Sequence, residues 1–321
     1  VRTVEFELLD GVRISGGEPG ARLAAQSQAF LAALCLADGH RLTKAALAEW
    51  IWDKIPAAAD YSSMLDTLAL TVRNALRSEL RVPGTLDTTG TAVTDPLPKE
   101  RGEGGYYRLA VEPVEVDVLR FRNLADQARA AAGRDAAEAA NHYRSALDVW
   151  PGRGETLFGG MPLGGLSGKR VEQYQQRLRR EHRDVLIDYL DLQLAQDCDA
   201  DLVGRLARLA RTEDGRADAD VVRLLMCAHH KCGDLAKALA VYENMAPLLR
   251  PDERARRLRD LYEGLRQVAA AERANGSDAP DPAQPGGETR PKARVTFVNH
   301  QHGPDARNWQ AETMNYYENG S

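Results

Sequence analysis

The stretch LLMCAHHKCGDLAKALAVYENM, residues 224–245, admits two readings that lead to different proteins. Cys227, His229, His230 and Cys232 crowd into six positions, a density of donors that suggests zinc. Zinc, however, needs four ligands converging tetrahedrally, two of them ordinarily supplied by a second segment. On a helix Cys227 and His230 share a face, whereas His229 and Cys232 point elsewhere. Val222, Leu225, Met226 and Ala228 recur at helical spacing, with Cys232 immediately before Gly233. The stretch therefore reads as helix, Gly-Asp turn, helix, with the Cys232 thiol acting as a small hydrophobe and no metal bound.

The same texture extends upstream. Ala139, Tyr143 and Ala146 of EAANHYRSALDVW (138–150) match Ala238 and Tyr242 of AKALAVYENM (236–245) in spacing and helical context. Small residues at such positions let paired helices approach closely, and the tyrosine fills the space between neighbouring pairs, as in stacked helical repeats. From Val116 to about Val268 the chain is expected to be helical, with breaks at AAGRD (131–135), WPGRGETLFGGMPLGG (150–165), RTEDGRADAD (211–220) and LLRPDE (248–253). FGGMPLGGLSG (158–168) is rich in glycine but lacks the lysine and Ser/Thr ending of a phosphate-binding loop, so it is a connection between helices.

Ahead of this domain the pattern changes. VEFELL (4–9) and VRIS (12–15) alternate like short strands around a DG turn. A first helix follows in AAQSQAFLAALCLADG (24–39), ending at Gly39, and a second opens with Thr43 as its cap and stops at Pro56. A third spans about Asp60 to Leu80, with Leu65, Leu68, Ala69, Val72, Leu76 and Leu80 inward and Ser62, Asp66, Arg73 and Arg77 on an outward stripe. GTLDTTGTAVTD (84–95) and GGYYRLAV (104–111) then read as a hairpin.

The 321 residues, 43% of them hydrophobic, suffice for at least two cores. Four cysteines at irregular spacing argue against a disulfide scaffold and for a reducing compartment. No apolar run approaches the roughly 18 residues that span a bilayer, and the start VRTVEFELLD lacks the hydrophobic segment of a signal peptide, so a cytoplasmic protein is expected. The net charge of −5 neither supports nor excludes a nucleic-acid surface, which depends on local charge.

Strands, three helices and a hairpin, joined to an all-helical domain, resemble the Streptomyces antibiotic regulatory protein type of transcriptional activator. The residues that carry the resemblance are LAALCLADGHRLTKAALAEWIW (31–52), GGYYRLAV, VDVLRF (116–121), HYRSALDVWPG (142–152) and the opening stretch, together covering about residues 3–268. It implies an α+β winged helix-turn-helix at residues 1–111 and an all-α, tetratricopeptide-like bacterial transcriptional activator domain at 112–270. It further implies a homodimer that binds double-stranded promoter DNA on direct repeats and contacts RNA polymerase, in the cytoplasm at the nucleoid, without a cofactor or enzymatic activity.

On that reading the third helix enters the major groove, with Arg73 and Arg77 suited to guanine or phosphate and Ser62, Thr71, Asn74, Ser78 and Arg81 adding polar contacts. Lys99, Arg101 and Arg108 of the wing reach the backbone or minor groove. Residues 1–110 nevertheless carry 12 Lys and Arg against 14 Asp and Glu, whereas DNA affinity rests heavily on neutralised phosphates. KRVEQYQQRLRREHRD (169–184) offers a second basic face through Arg170, Arg177, Arg180 and Arg183. Residues 271–293, dense in Pro and Gly, read as a linker, and 294–321 as a β-prone tail in RVTFVNHQ and NWQAETMNYY. The acidic first domain and this tail leave open an alternative: an adaptor whose winged helix does not bind DNA and whose tail, weakly similar to short homotypic motifs of bacterial signalling proteins, recruits an effector.

Overall fold

The computed structural model describes residues 5–15, 23–56, 58–80, 97, 105–110, 112–151, 156–276, 294–301 and 307–314. It divides into two compact units, residues 1–197 and 198–321.

The first unit begins with two short antiparallel strands, β1 (Glu5–Glu7) and β2 (Arg13–Ser15), paired in register Phe6 to Ile14. Helix α1 (Ala25–Leu36) is buried at every position from Ala29 to Leu36, because it is apolar on all sides and the other elements pack around it. It ends three residues earlier than expected. The chain turns out of the helix through Asp38 and Gly39, both with positive φ, which these two residue types adopt at low cost. Strand β3 (Leu42–Thr43) leads into α2 (Lys44–Ile51), whose free amides are capped by Thr43, with Ala46 N donating to the hydroxyl at 3.2 Å. Helix α3 (Ala58–Leu80) buries Leu65, Ala69, Val72 and Leu76. Strand β4 (Tyr106–Tyr107) returns to pair with β3, Leu42 opposite Tyr107. Residues 84–95, the expected first strand of the hairpin, lie outside the described residues.

Helices α4 (Asp117–Ala132) and α5 (Ala136–Asp148) form a hairpin in which Asp135 caps α5 by accepting from Ala137 N and Glu138 N, each at 2.9 Å. Helix α6 (Lys169–Gln196) packs on α5. Beneath them sits an aromatic cluster: Phe121 meets Trp150 edge-on at 5.5 Å, and His182 lies 4.7 Å from Trp150. Gly159, at φ +65°, passes so close that a Cβ would lie 2.4 Å from the Trp150 ring.

The N-terminal strands are tied to these helices. Asp117, 6% exposed, accepts Leu8 N at 2.7 Å and Leu9 N at 2.9 Å, while Leu163 N donates to Leu8 O at 2.7 Å. Asp53, just past α2, caps α6 by accepting Lys169 N at 3.0 Å, and Trp50 lies 4.5 Å from Tyr174. The elements before and after residue 111 therefore share one compact unit.

The second unit is built from α7 (Ala200–Arg211), the one-turn α8 (Glu213–Arg216), α9 (Ala219–Lys231), α10 (Leu235–Met245) and α11 (Glu253–Gly276). The short α8 fills the expected break at 211–220. Val222, Met226, Ala238, Leu258 and Leu265 form its core. Ala139, Ala146 and Ala238 are all fully buried. The tyrosines beside them each meet a tyrosine of the next helix, Tyr143 with Tyr189 of α6 at 6.3 Å and Tyr242 with Tyr262 of α11 at 4.3 Å. Helix α11 runs to Gly276, six residues into the stretch expected to be linker. Strands β5 (Arg294–Gln301) and β6 (Arg307–Met314) pair antiparallel from Arg294–Met314 to Gln301–Arg307, so RVTFVNHQ and the described part of NWQAETMNYY are strands.

Two buried groups give the first unit opposite responses to acid. Burial pushes the Asp117 carboxyl up from 3.8 to about 6, against the pull of its three backbone N–H bonds. Burial pushes the His182 imidazole down from 6.5 to about 4. As pH falls from 6 to 4 the folded state takes up the Asp117 proton before the unfolded chain does, which stabilises the fold. Between 6.5 and 4 the unfolded chain takes up the His182 proton first, which destabilises it. Each contribution is about 3 kcal/mol, so they nearly offset. Urea unfolding at several pH values is expected to show Asp117→Asn losing stability on acidification more steeply than the wild type, and His182→Leu gaining it.

Candidate nucleic-acid interface

Helix α3 is held by a small polar cluster. Lys44 Nζ donates to Ser62 Oγ at 2.7 Å and to Asp66 Oδ1 at 3.1 Å, and the Tyr107 hydroxyl donates to the same carboxylate. Burial, then the bond to Asp66, raises the pKa of Tyr107, which keeps its proton and remains a donor. Phe30 of α1 packs edge-on against the Tyr107 ring at 5.2 Å, so β4 locks α3 to α1. Ser62 is thus half-buried and bonded within the fold rather than presented outward.

Arg73 departs further from expectation. It is 4% exposed, and its Nε donates to Leu97 O at 3.0 Å, so this guanidinium tethers a segment beyond the helix instead of facing a ligand. The helical period carried the signal: Arg73 falls four residues after Ala69 and three before Leu76, beside the inner face, and its charge disguised the position.

The face α3 turns outward comprises Ser63, Met64, Thr67, Leu70, Thr71, Asn74, Arg77 and Ser78, with Leu70 50% and Met64 38% exposed. Thr71, Asn74, Arg77 and Ser78 were expected there. Ser63, Thr67 and Leu70 were missed because the stripe is rotated by about one residue from the one drawn through Arg73. Thr67 Oγ1 donates to Ser63 O at 3.1 Å and Thr71 Oγ1 to Thr67 O at 3.0 Å. Their hydroxyl protons are spent on the helix, which leaves methyl groups and acceptor lone pairs for an incoming surface. Arg77 lies in the last turn of α3, where a cation complements the negative end of the helix dipole. Arg108 is exposed just past β4, whereas Arg81, Lys99 and Arg101 lie outside the described residues.

The basic face of α6 is less continuous than its sequence suggests. Arg170 and Arg177 flank the Tyr174 ring at 5.7 and 6.0 Å, and Arg177 also pairs with Glu181 at 2.9 Å. Glu181 takes a two-pronged contact from Arg122 as well, at 2.8 and 3.1 Å. Arg180 is exposed, but Arg183 is buried against Asp184 at 2.8 Å and does not belong to that face.

In the Cys/His stretch, His229 and His230 are half-buried on α9, with burial lowering both imidazole pKa values. Cys232 is exposed at the helix end rather than acting as a buried hydrophobe, and its sulfur lies 3.0 Å from that of Cys198. Among the described residues no group of three or more His, Cys, Asp or Glu is arranged to hold a metal ion. Among the same residues no helix is long and apolar enough to cross a membrane.

With the helical hairpins and the outward face of α3 in place, residues 116–266 match the bacterial transcriptional activator domain. That match takes in just under half of the chain, which is similar to the Streptomyces antibiotic regulatory type of activator. The chain is 29% identical over 241 residues to the regulatory protein AfsR of Streptomyces coelicolor, which covers 75% of this chain and 21% of that protein. Against AfsR of Streptomyces griseus the identity is 25% over 282 residues, 87% of this chain and 26% of the relative. The chain thus spans about a fifth to a quarter of the length of these relatives. Its fold is similar to that of Mycobacterium tuberculosis EmbR, solved in complex with a low-affinity phosphopeptide: TM-score 0.65, 16% identity, 97% of this chain and 78% of that one.

The two arginines of α3 separate cleanly by experiment. Arg73→Gln removes the buried bond to Leu97 O and is expected to cost about 1–3 kcal/mol in chemical unfolding, and Arg77→Gln roughly 0.5 kcal/mol or less.

Proposed function

We propose that the N-terminal elements form a winged helix that binds double-stranded promoter DNA, with α3 in the major groove. The observation that carries this reading is the outward face of α3, where Thr67, Thr71, Asn74, Arg77 and Ser78 stand together on a helix braced from behind by Lys44, Asp66 and Tyr107. Arg77 is the base- or phosphate-reading cation, Asn74 is suited to adenine, and the threonine methyls are suited to thymine. Arg108 meets the phosphate backbone, and Arg81, Lys99 and Arg101 are assigned the same role from the sequence. The helical domain pairs two copies on direct repeats and contacts RNA polymerase, and the protein works in the cytoplasm at the nucleoid. Domain limits of 1–111, 112–270, 271–293 and 294–321 accompany this reading.

Electrophoretic mobility shift on the region upstream of its own gene, at low salt, tests it. A specific complex is expected, weakened roughly tenfold by Arg77→Ala, while Arg108→Ala flattens the salt slope by about one. The absence of a specific complex across genomic fragments sinks the proposal.

One pair of observations favours a second reading, the adaptor: residues 1–110 hold 12 basic against 14 acidic side chains, and the tail forms a sheet that is two-stranded among the described residues. Pull-downs with and without residues 294–321 discriminate, since a recruiting tail changes the set of captured proteins and a DNA-binding regulator without one does not.

A further inference from the structure

We infer that Cys198 and Cys232 form a dithiol site that hydroperoxides oxidise reversibly to an intramolecular disulfide. The sulfurs lie 3.0 Å apart across 34 residues of sequence, so a shift of about 1 Å brings them to bonding distance. Cys198 immediately precedes α7, whose cap Asp199 accepts Leu202 N at 2.8 Å, and Cys232 ends α9 before the positive-φ Gly233. Both backbones are therefore fixed by caps, and the approach of the two thiols follows from the packing of α7 on α9. Each sulfur is also turned toward the other's strand of chain: Cys198 Sγ donates to Ala228 O at 3.3 Å, and Cys232 Sγ to Cys198 O at 3.6 Å.

The two thiols differ in access. Cys232 is exposed, and Cys198 is partly buried. Burial, and then the contact with Cys232, push the Cys198 thiol up to about 12, so it stays protonated at neutral pH. Cys232 is the attacking thiolate and Cys198 the resolving thiol. In the first step the Cys232 sulfur bonds to one peroxide oxygen, the O–O bond breaks, and the departing hydroxide takes a proton to become water. That leaves a sulfenic acid on Cys232. In the second, the Cys198 sulfur bonds to the Cys232 sulfur and the S–O bond breaks. The hydroxide released takes the Cys198 proton and leaves as a second water. Two thiols are oxidised by two electrons and one hydroperoxide is reduced. A regulator that acts where thiols are kept reduced needs no such bond for stability, and a disulfide formed there is transient and sensing.

The test uses the full chain treated with hydrogen peroxide, then alkylated and digested for mass spectrometry. Expected are a loss of two hydrogens, a Cys198–Cys232 linked peptide pair that dithiothreitol separates, and unchanged alkylation of Cys35 and Cys227 after denaturation. Cys198→Ser, which removes the resolving thiol, is expected to leave a sulfenic acid on Cys232 that dimedone traps, with circular dichroism confirming that the variant is folded. Full alkylation of both thiols after peroxide overturns the inference. So does a disulfide that forms only between molecules, or a folded Cys198→Ser variant without dimedone adduct on Cys232.

Discussion

The first unit depends on one buried carboxylate. Asp117 begins α4, yet its oxygens accept the amides of Leu8 and Leu9, more than a hundred residues earlier in the chain, together with that of Val118. A buried amide without a partner costs about 1–3 kcal/mol, so this one side chain governs whether the chain after β1 can lie inside at all. Leu163 completes the arrangement by donating to Leu8 O, and Phe6 bridges to Val116. The β1–β2 pair is too short to be stable alone, and its position comes from the helices it is bonded to. Because Asp117 lies in VDVLRF, the junction between the two sequence patterns is a structural joint rather than a tether.

Much of this was legible in the sequence, and the exceptions have physical causes. The start of α2 was read correctly because the capping side chain of Thr43 announces it. Helix ends were less legible: α1 stops at Leu36 because two residues, Asp38 and Gly39, share the left-handed turn expected of the glycine alone. The helical hairpins were visible because Ala139, Ala146 and Ala238, all buried, are small where helices cross. The role of Asp117 was not visible, since a carboxylate bonded to backbone amides leaves no pattern in the residue types it bonds to.

The candidate interface was half legible for a related reason. Hydrophobic period fixes which face of α3 is inward, but charge was taken as a marker of the outward face. Arg73 shows why that fails: a guanidinium on a long stem can cover apolar neighbours while its head bonds to a carbonyl. Removing Arg73 and Ser62 from the outward face leaves a surface richer in methyl groups than in cations. On the proposed DNA-binding reading, recognition there leans on base-edge contacts more than on phosphate neutralisation, in keeping with residues 1–110, where acidic side chains outnumber basic ones.

The tyrosine pairs and the cysteine pair arise from the same packing rule. In each repeat the second helix sends a tyrosine to the tyrosine of the following helix, Tyr143 to Tyr189 and Tyr242 to Tyr262, and small residues set the spacing. Where α9 ends, that spacing brings Cys232 to Cys198 at the start of α7. A crowded row of Cys and His was first noticed because it resembled a metal site. Its chemistry lies instead in one of those cysteines and a partner 34 residues away, a pairing that only the fold of α7 against α9 creates.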